Sequence, residues 1–244
     1  MSEKAFDDIV DRVQTFYDPL VRHQNAIPKM TRNWSDSEYE AHAKRVGNSW
    51  EVYVSGGIAR GVGADGLMFT LCHEVGHQLA GYPFNDLHGV EWLSKEGAAD
   101  YYASFTCLKT LWKNELAATV FLRNKVDPSA KKECDQAWKS VEDKLLCYRI
   151  TTAGKTVIDF WSDQSKTPRA AFSSIEVKKE YSPQCRLDTI LQGALCTAHF
   201  DLDVIPGYPD HDGINSERAR LEAEKNSCTK SGGYTQGVRP ECWY

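Results

Sequence analysis

Long hydrophobic runs are missing from the sequence, and so is an excess of positive charge. No stretch approaches the ~18 apolar residues that a membrane-spanning helix needs, so we expect no membrane span. The net charge is -5, which argues against a phosphate-binding surface and against nucleic acid as a partner. The chain also lacks repeats and low-complexity tracts. These absences favour an ordinary globular protein.

The eight cysteines include no CxxC pair, a spacing common in redox motifs and zinc sites. Dispersed cysteines in even number indicate disulfides formed in an oxidising compartment. The opening MSEKAFDDIV lacks the apolar core of a signal peptide, so we interpret Met1 as the start after removal of a leader. We therefore expect a secreted or periplasmic protein. A reduced cytosolic protein with buried thiols is the alternative.

Hydrophobic periodicity predicts helices at both ends of a short sheet region. Residues 38–46 and 49–55 alternate in polarity around Gly47-Asn48 and predict a β-hairpin. GGIARGVGADG, which follows, is interpreted as a glycine-rich connection. Helices are predicted at about 3–24, 66–80, from Ser94 to Trp112, and at 129–148, 151–162 and 184–199, with Asp127-Pro128 as a helix start.

The segment LCHEVGHQLAGYP, residues 71–83, carries two histidines four positions apart on a predicted helix. His73 and His77 therefore share one face and can reach a single ion. Glu74 lies beside them, where a carboxylate can take a proton from a metal-activated water. A catalytic zinc site needs a third protein ligand and an open position. The motif predicts a metal site but does not complete it.

Candidates for the third ligand are His88, Asp86 and a carboxylate further along the chain. KEGAAD, residues 95–100, places Glu96 and Asp100 one helical turn apart, so both share a face as the histidines do. Glu96 can ligate the ion while Asp100 accepts the free ring N–H of His73 and fixes its orientation. We predict His73, His77 and Glu96 as metal ligands, with Asp100 behind His73.

A metzincin would have glycine at position 80 and histidine at 83, where this sequence has Ala80 and Pro83. HExxH followed nineteen positions later by ExxxD instead resembles the gluzincin metallopeptidases, and EGAAD resembles their M48-type branch. The resemblance covers roughly residues 50–105 and extends to bacterial secreted proteins with this core. It implies a Zn²⁺ cofactor, two zinc-ligand helices and a small antiparallel sheet. In that family the extended segment before the motif helix is the edge strand that aligns peptides.

The resemblance implies a zinc-dependent metalloendopeptidase that hydrolyses peptide or protein substrates, with Glu74 as general base. The residue that stabilises the oxyanion stays open among four candidates, which are Tyr101, Tyr102, His199 and His211. A non-catalytic or latent zincin-scaffold binding module is the alternative function. No motif marks the pocket walls that set cleavage specificity, and none indicates an oligomeric state.

The predicted fold class is α+β, with a zincin-like core at residues 1–125 and a helical, cysteine-rich region at 126–244 packed on it. On one continuous helix Cys134 and Cys147 would be ~20 Å apart, too far for a disulfide. The pairs expected instead are Cys134–Cys196, Cys147–Cys185, Cys228–Cys242 and Cys72–Cys107.

Overall fold

The computed structural model describes residues 1–115, 126–172, 182–208 and 214–243. It has an α+β architecture with a three-stranded sheet. The helices described are α1 (Glu3–His23), α2 (Gly56–Leu79), α3 (Glu96–Tyr102), α4 (Leu108–Trp112), α5 (Pro128–Ala137), α6 (Val141–Ser165), α7 (Pro183–Leu195) and α8 (Glu217–Glu224). The strands are β1 (Ile27–Asn33), β2 (Ala41–Val46) and β3 (Ser49–Ser55). A π-helical turn (Ala103–Cys107) joins α3 to α4, and a 3-10 turn (Glu241–Trp243) lies near the C-terminus.

The sheet is mixed, so the expectation of an antiparallel sheet was wrong. β2 and β3 form the predicted antiparallel hairpin, with Gly47 at φ +57° in its turn. β1 pairs with β3 in parallel and was missed. Met30 is the one buried residue of β1, so the strand lacks the alternation of buried and exposed side chains that would reveal it in the sequence. Pro28 is also unusual in a strand. An edge strand with such a weak pattern gives little sequence signal.

The strand that precedes the motif helix is central, which corrects the expected edge position. The strand order is β1-β3-β2, so β3 is paired on both sides. β2 is an outer strand of this sheet and contacts α2. Within the described residues, one edge of β2 therefore has no strand partner.

Helix α2 begins ten residues before the predicted start and includes the expected glycine-rich connection. The Ser55 hydroxyl accepts a hydrogen bond from the Ile58 N–H (3.2 Å) and caps the helix, and Gly63, at φ +72°, marks a kink. α2 is buried on nearly all sides against α1, the sheet, α3 and α6. This packing outweighs the cost of helical glycine, about 1 kcal/mol per residue.

The predicted helix 129–148 is in fact two helices. The Asp127 carboxylate caps α5 as expected, accepting from the Ser129 N–H at 2.8 Å. α5 ends at Ala137, and the Ser140 hydroxyl caps α6 by accepting from the Asp143 N–H (3.0 Å). α6 then continues through the boundary expected near residue 151. The break brings Cys134 and Cys147 to a Cα–Cα distance of 5.9 Å.

All eight cysteines form disulfides, but only one expected pair is confirmed. Cys72–Cys107 joins α2 to the π-helical turn. The other expected pairs were wrong, and the observed disulfides are Cys134–Cys147, Cys185–Cys242 and Cys196–Cys228. The last two attach both ends of α7 to the C-terminal segment, which corrects the predicted link between two helices. Four disulfides fit folding in an oxidising compartment.

We expect non-reducing peptide mapping by mass spectrometry to recover these four pairs and no alkylated cysteine. The decisive fragment joins Cys134 to Cys147, since they lie on separate helices only if the chain breaks after Ala137. Recovery of Cys134–Cys196 would contradict that break.

None of the helices in the described part of the chain has the length and apolar character needed to cross a membrane.

The C-terminal segment and α7 pack against α3, and so help to position the face of α3 toward α2. The Tyr101 hydroxyl donates to the Gly237 carbonyl (2.6 Å), and Trp243 Nε1 donates to Thr189 Oγ1 of α7 (2.8 Å). Tyr101 and Trp243 also contact each other edge to face, with ring centroids 5.4 Å apart. α3 is thus fixed by elements from more than 80 residues along the chain.

Candidate metal centre

Helices α2 and α3 cross at a glycine. A Cβ atom at Gly76 would lie 2.8 Å from the Ala99 carbonyl oxygen and 2.9 Å from the Ala99 Cα, closer than side chains tolerate. Glycine therefore permits the approach of the two helices. This contact accounts for a mid-helix glycine within HEVGH, and it brings the first turn of α3 against the histidines.

His73, His77 and Glu96 meet at this crossing. The Oε2 atom of Glu96 lies 3.3 Å from His73 Nε2, and its Oε1 atom lies 3.4 Å from His77 Nε2. The three potential ligand atoms are all within 4.8 Å of one another. The three residues, called the triad below, could hold a metal ion.

The other ring nitrogen of each histidine is held by an acceptor. His73 Nδ1 donates to Asp100 Oδ1 (2.8 Å), and His77 Nδ1 donates to the Ser94 carbonyl oxygen (2.7 Å). The Nε2 atom of each histidine is therefore the one that faces Glu96 and would serve as the metal ligand. Asp100 lies where the spacing predicted it. The helix predicted from Ser94 begins two residues later, with Lys95 at the N-cap position of α3, and Ser94 contributes its backbone carbonyl.

Arg186 of α7 is the member of this cluster that the sequence analysis did not identify. Its Nε donates to Asp100 Oδ2 (2.7 Å) and its Nη2 to Asp100 Oδ1 (2.8 Å), a bidentate pair. Nη2 also lies 3.4 Å from Glu96 Oε2. A buried Asp100 requires a cation, but any of the 29 lysines and arginines could supply it. The available signal was that residue 186 follows a cysteine at the start of a helix.

The electrostatics of the cluster favour ionised carboxylates. Burial alone would raise the pKa values of Asp100 and Glu96. The positive charges of Arg186 and His73 outweigh this effect, so the pKa of Asp100 is below its usual range and that of Glu96 is well below it. Burial lowers the pKa of His73, while Asp100 and Glu96 reverse this and raise it to about 10. Metal binding must therefore displace a proton from His73.

Glu74 lines the same cavity as the triad and is 7% exposed, as are His73 and His77. The cavity has a volume of about 320 Å³ and runs between β2, α2 and α6. Arg186 also lines it. A molecule that enters this cavity would meet the triad and Glu74 together.

The remaining predicted candidates lie away from the triad or outside the described residues. His88 is fully exposed and pairs with Glu91, and Asp86 is an exposed residue on the same loop. Tyr102 packs on Phe200, and His199 is exposed. Neither they nor Tyr101 line the triad cavity. His211 lies outside the described residues.

Replacing Asp100 with asparagine is expected to weaken metal affinity by about 10–100-fold, because the charge that orients His73 is lost. Competition with a chromophoric chelator measures the change. Asp65→Asn is the matched control, since Asp65 makes the same bidentate contact with Arg149 away from the triad. Equal losses in both variants would show a general stability effect.

Comparison with models of known protein families, with curated proteins and with solved structures found no match.

Proposed function

We propose that the protein is a zinc-dependent metalloendopeptidase of the gluzincin type. The observation that carries this proposal is the convergence of His73, His77 and Glu96 beside Glu74 in one open cavity. HExxH with a glutamate from a second helix supplies the residue types that such chemistry requires. The four disulfides support a secreted or periplasmic location.

The donor set fits zinc. Two imidazole nitrogens and one carboxylate are a known set for catalytic zinc and leave a fourth position open. Both imidazoles are held by hydrogen bonds to their far nitrogens, as is usual for ligating histidines. When bound, zinc acts as a Lewis acid that acidifies water and polarises a carbonyl.

The chain's own residues then perform the proton transfers and the positioning. Glu74 takes a proton from the water that attacks the peptide carbonyl and delivers it to the leaving amine. Asp100 and the Ser94 carbonyl keep the imidazoles oriented. The outer strand β2 offers backbone groups to an extended peptide, because Ala41 and Ala43 line the cavity.

Elemental analysis of protein purified without chelator is expected to find about one equivalent of zinc per chain, because the triad supplies three ligands. His77→Ala should lose it, while His42→Ala, in the same cavity wall but outside the triad, should keep it. A folded wild-type protein that cannot be loaded with zinc would end the zinc hypothesis.

The activity is tested on an unfolded protein substrate and a peptide library, with a chelator-treated sample as control. Zinc-dependent appearance of new amino termini supports the peptidase. If zinc-loaded protein cuts nothing, before or after limited trimming of residues 126–244, the chain is instead a zinc-holding binding module.

A further inference from the structure

Apolar side chains from two helices line part of the triad cavity. Phe69 of α2 and Val157 of α6 are buried, and Trp161, one turn along α6, is partly exposed. These three residues are called the apolar recess below. They line the same 320 Å³ cavity as the triad and Glu74. Helix α6 thus contributes cavity surface that the HExxH region cannot provide.

A second cavity meets the first at the triad and differs in character. It has a volume of about 360 Å³ and shares His77, Leu93, Glu96 and Arg186 with the first. Its other lining residues, Asn85, Ser94 and Lys95, are polar. A peptide crossing the triad would therefore find apolar surface on one side and polar surface on the other.

We infer that the apolar recess binds a large apolar side chain of a residue flanking the scissile bond, which makes α6 a specificity-determining element. This inference rests on the proposed peptidase function. A large aliphatic or aromatic side chain leaves water when it enters such a recess. A charged side chain loses hydration there and gains no partner from Phe69, Val157 or Trp161.

Trp161 is the residue through which the inference can be tested. It is partly exposed, so its removal opens the recess without emptying the core. The preceding residue, Phe160, is an aromatic of similar exposure that does not line the cavity. Its ring contacts Tyr39 and Trp161, with ring centroids 5.0 and 5.4 Å apart. Phe160→Ala is therefore the control that removes aromatic packing beside Trp161 without removing cavity surface.

Zinc-loaded wild type and both variants are incubated with a randomised peptide library, and cleavage sites are identified by mass spectrometry. Wild type should favour large apolar residues by at least about tenfold at one position flanking the cut. In Trp161→Ala the preference should fall below about threefold, and in Phe160→Ala it should persist. Cleavage without apolar preference, or a preference that survives in Trp161→Ala, overturns the inference.

A binding measurement separates this inference from the peptidase proposal. Fluorescence anisotropy compares labelled peptides that differ only in a central Phe or Asp, using zinc-loaded Glu74→Gln protein. The Phe peptide should bind at least about tenfold more tightly, and Trp161→Ala in the same background should remove the difference. If wild type cuts nothing, the peptidase proposal fails, and the binding measurement alone tests whether the apolar recess binds a large apolar side chain. Equal affinities for the two peptides would overturn the inference about the recess.

Discussion

Replacing Glu74 with glutamine is expected to reduce proteolysis by about 10²–10⁴-fold while zinc content and fold are retained. Glutamine keeps the size and hydrogen-bonding shape of the side chain but cannot accept a proton from water. Glu74 is not a member of the triad, so we expect the variant to keep its metal. The measurement is the initial rate of cleavage at matched zinc occupancy.

Glu91→Gln is the control for this experiment. Glu91 is another glutamate, but it lies on the exposed loop beside His88 and outside the cavity. Its variant should cleave at the wild-type rate. Activity in Glu74→Gln equal to that of wild type would show that the cleavage does not come from this site.

Replacing Arg186 with leucine is expected to lower the free energy of unfolding by about 3 kcal/mol, the lower end of the range for breaking a buried ion pair. Asp100 is 0% exposed and would keep only His73 as a charged partner. The lower end applies because about a fifth of the Arg186 side chain is exposed. Chemical denaturation of metal-free protein at neutral pH measures the loss.

The pH dependence of that loss has a definite sign. The pKa of Asp100 is lower in the folded protein than in the unfolded chain, where it is about 4. Its contribution to the free energy of unfolding is therefore fully present above about pH 4 and is lost as the pH falls through the pKa of the folded state. The difference between wild type and Arg186→Leu should therefore narrow in acid.

Two further variants test whether the effect of Arg186→Leu comes from the broken ion pair. Arg149→Leu should lower the free energy of unfolding by less, because the side chain of its partner Asp65 is 38% exposed and can be solvated. Adding Asp100→Leu to Arg186→Leu should recover stability, since no unpaired buried charge remains. A double variant no more stable than the single one would contradict the ion-pair explanation.

Helical periodicity accounts for what the sequence could predict of the site. The i, i+4 spacings of His73 with His77 and of Glu96 with Asp100 are local, and each pair shares a helix face whatever surrounds it. The partners that complete the cluster come from tertiary structure. Arg186 lies 86 residues beyond Asp100, and the Ser94 carbonyl carries no side-chain signal at all.

The disulfide predictions failed through one missed helix boundary. Neither proline nor glycine marks the break between Ala137 and Val141. Ser140 followed three residues later by Asp143 is, however, a capping-box pattern, and both of its residues take part in the observed cap. That pattern would have separated Cys134 from Cys147 and reopened their pairing.

The Cys72–Cys107 disulfide closes a loop of the chain that contains the triad, Glu74 and Asp100. When the oxidised protein denatures, these side chains stay tethered at a high effective concentration instead of dispersing. We therefore expect zinc to bind the oxidised denatured ensemble in addition to the native protein. Its addition should raise the melting temperature by less than its native affinity implies, because only the difference between the two affinities stabilises the fold.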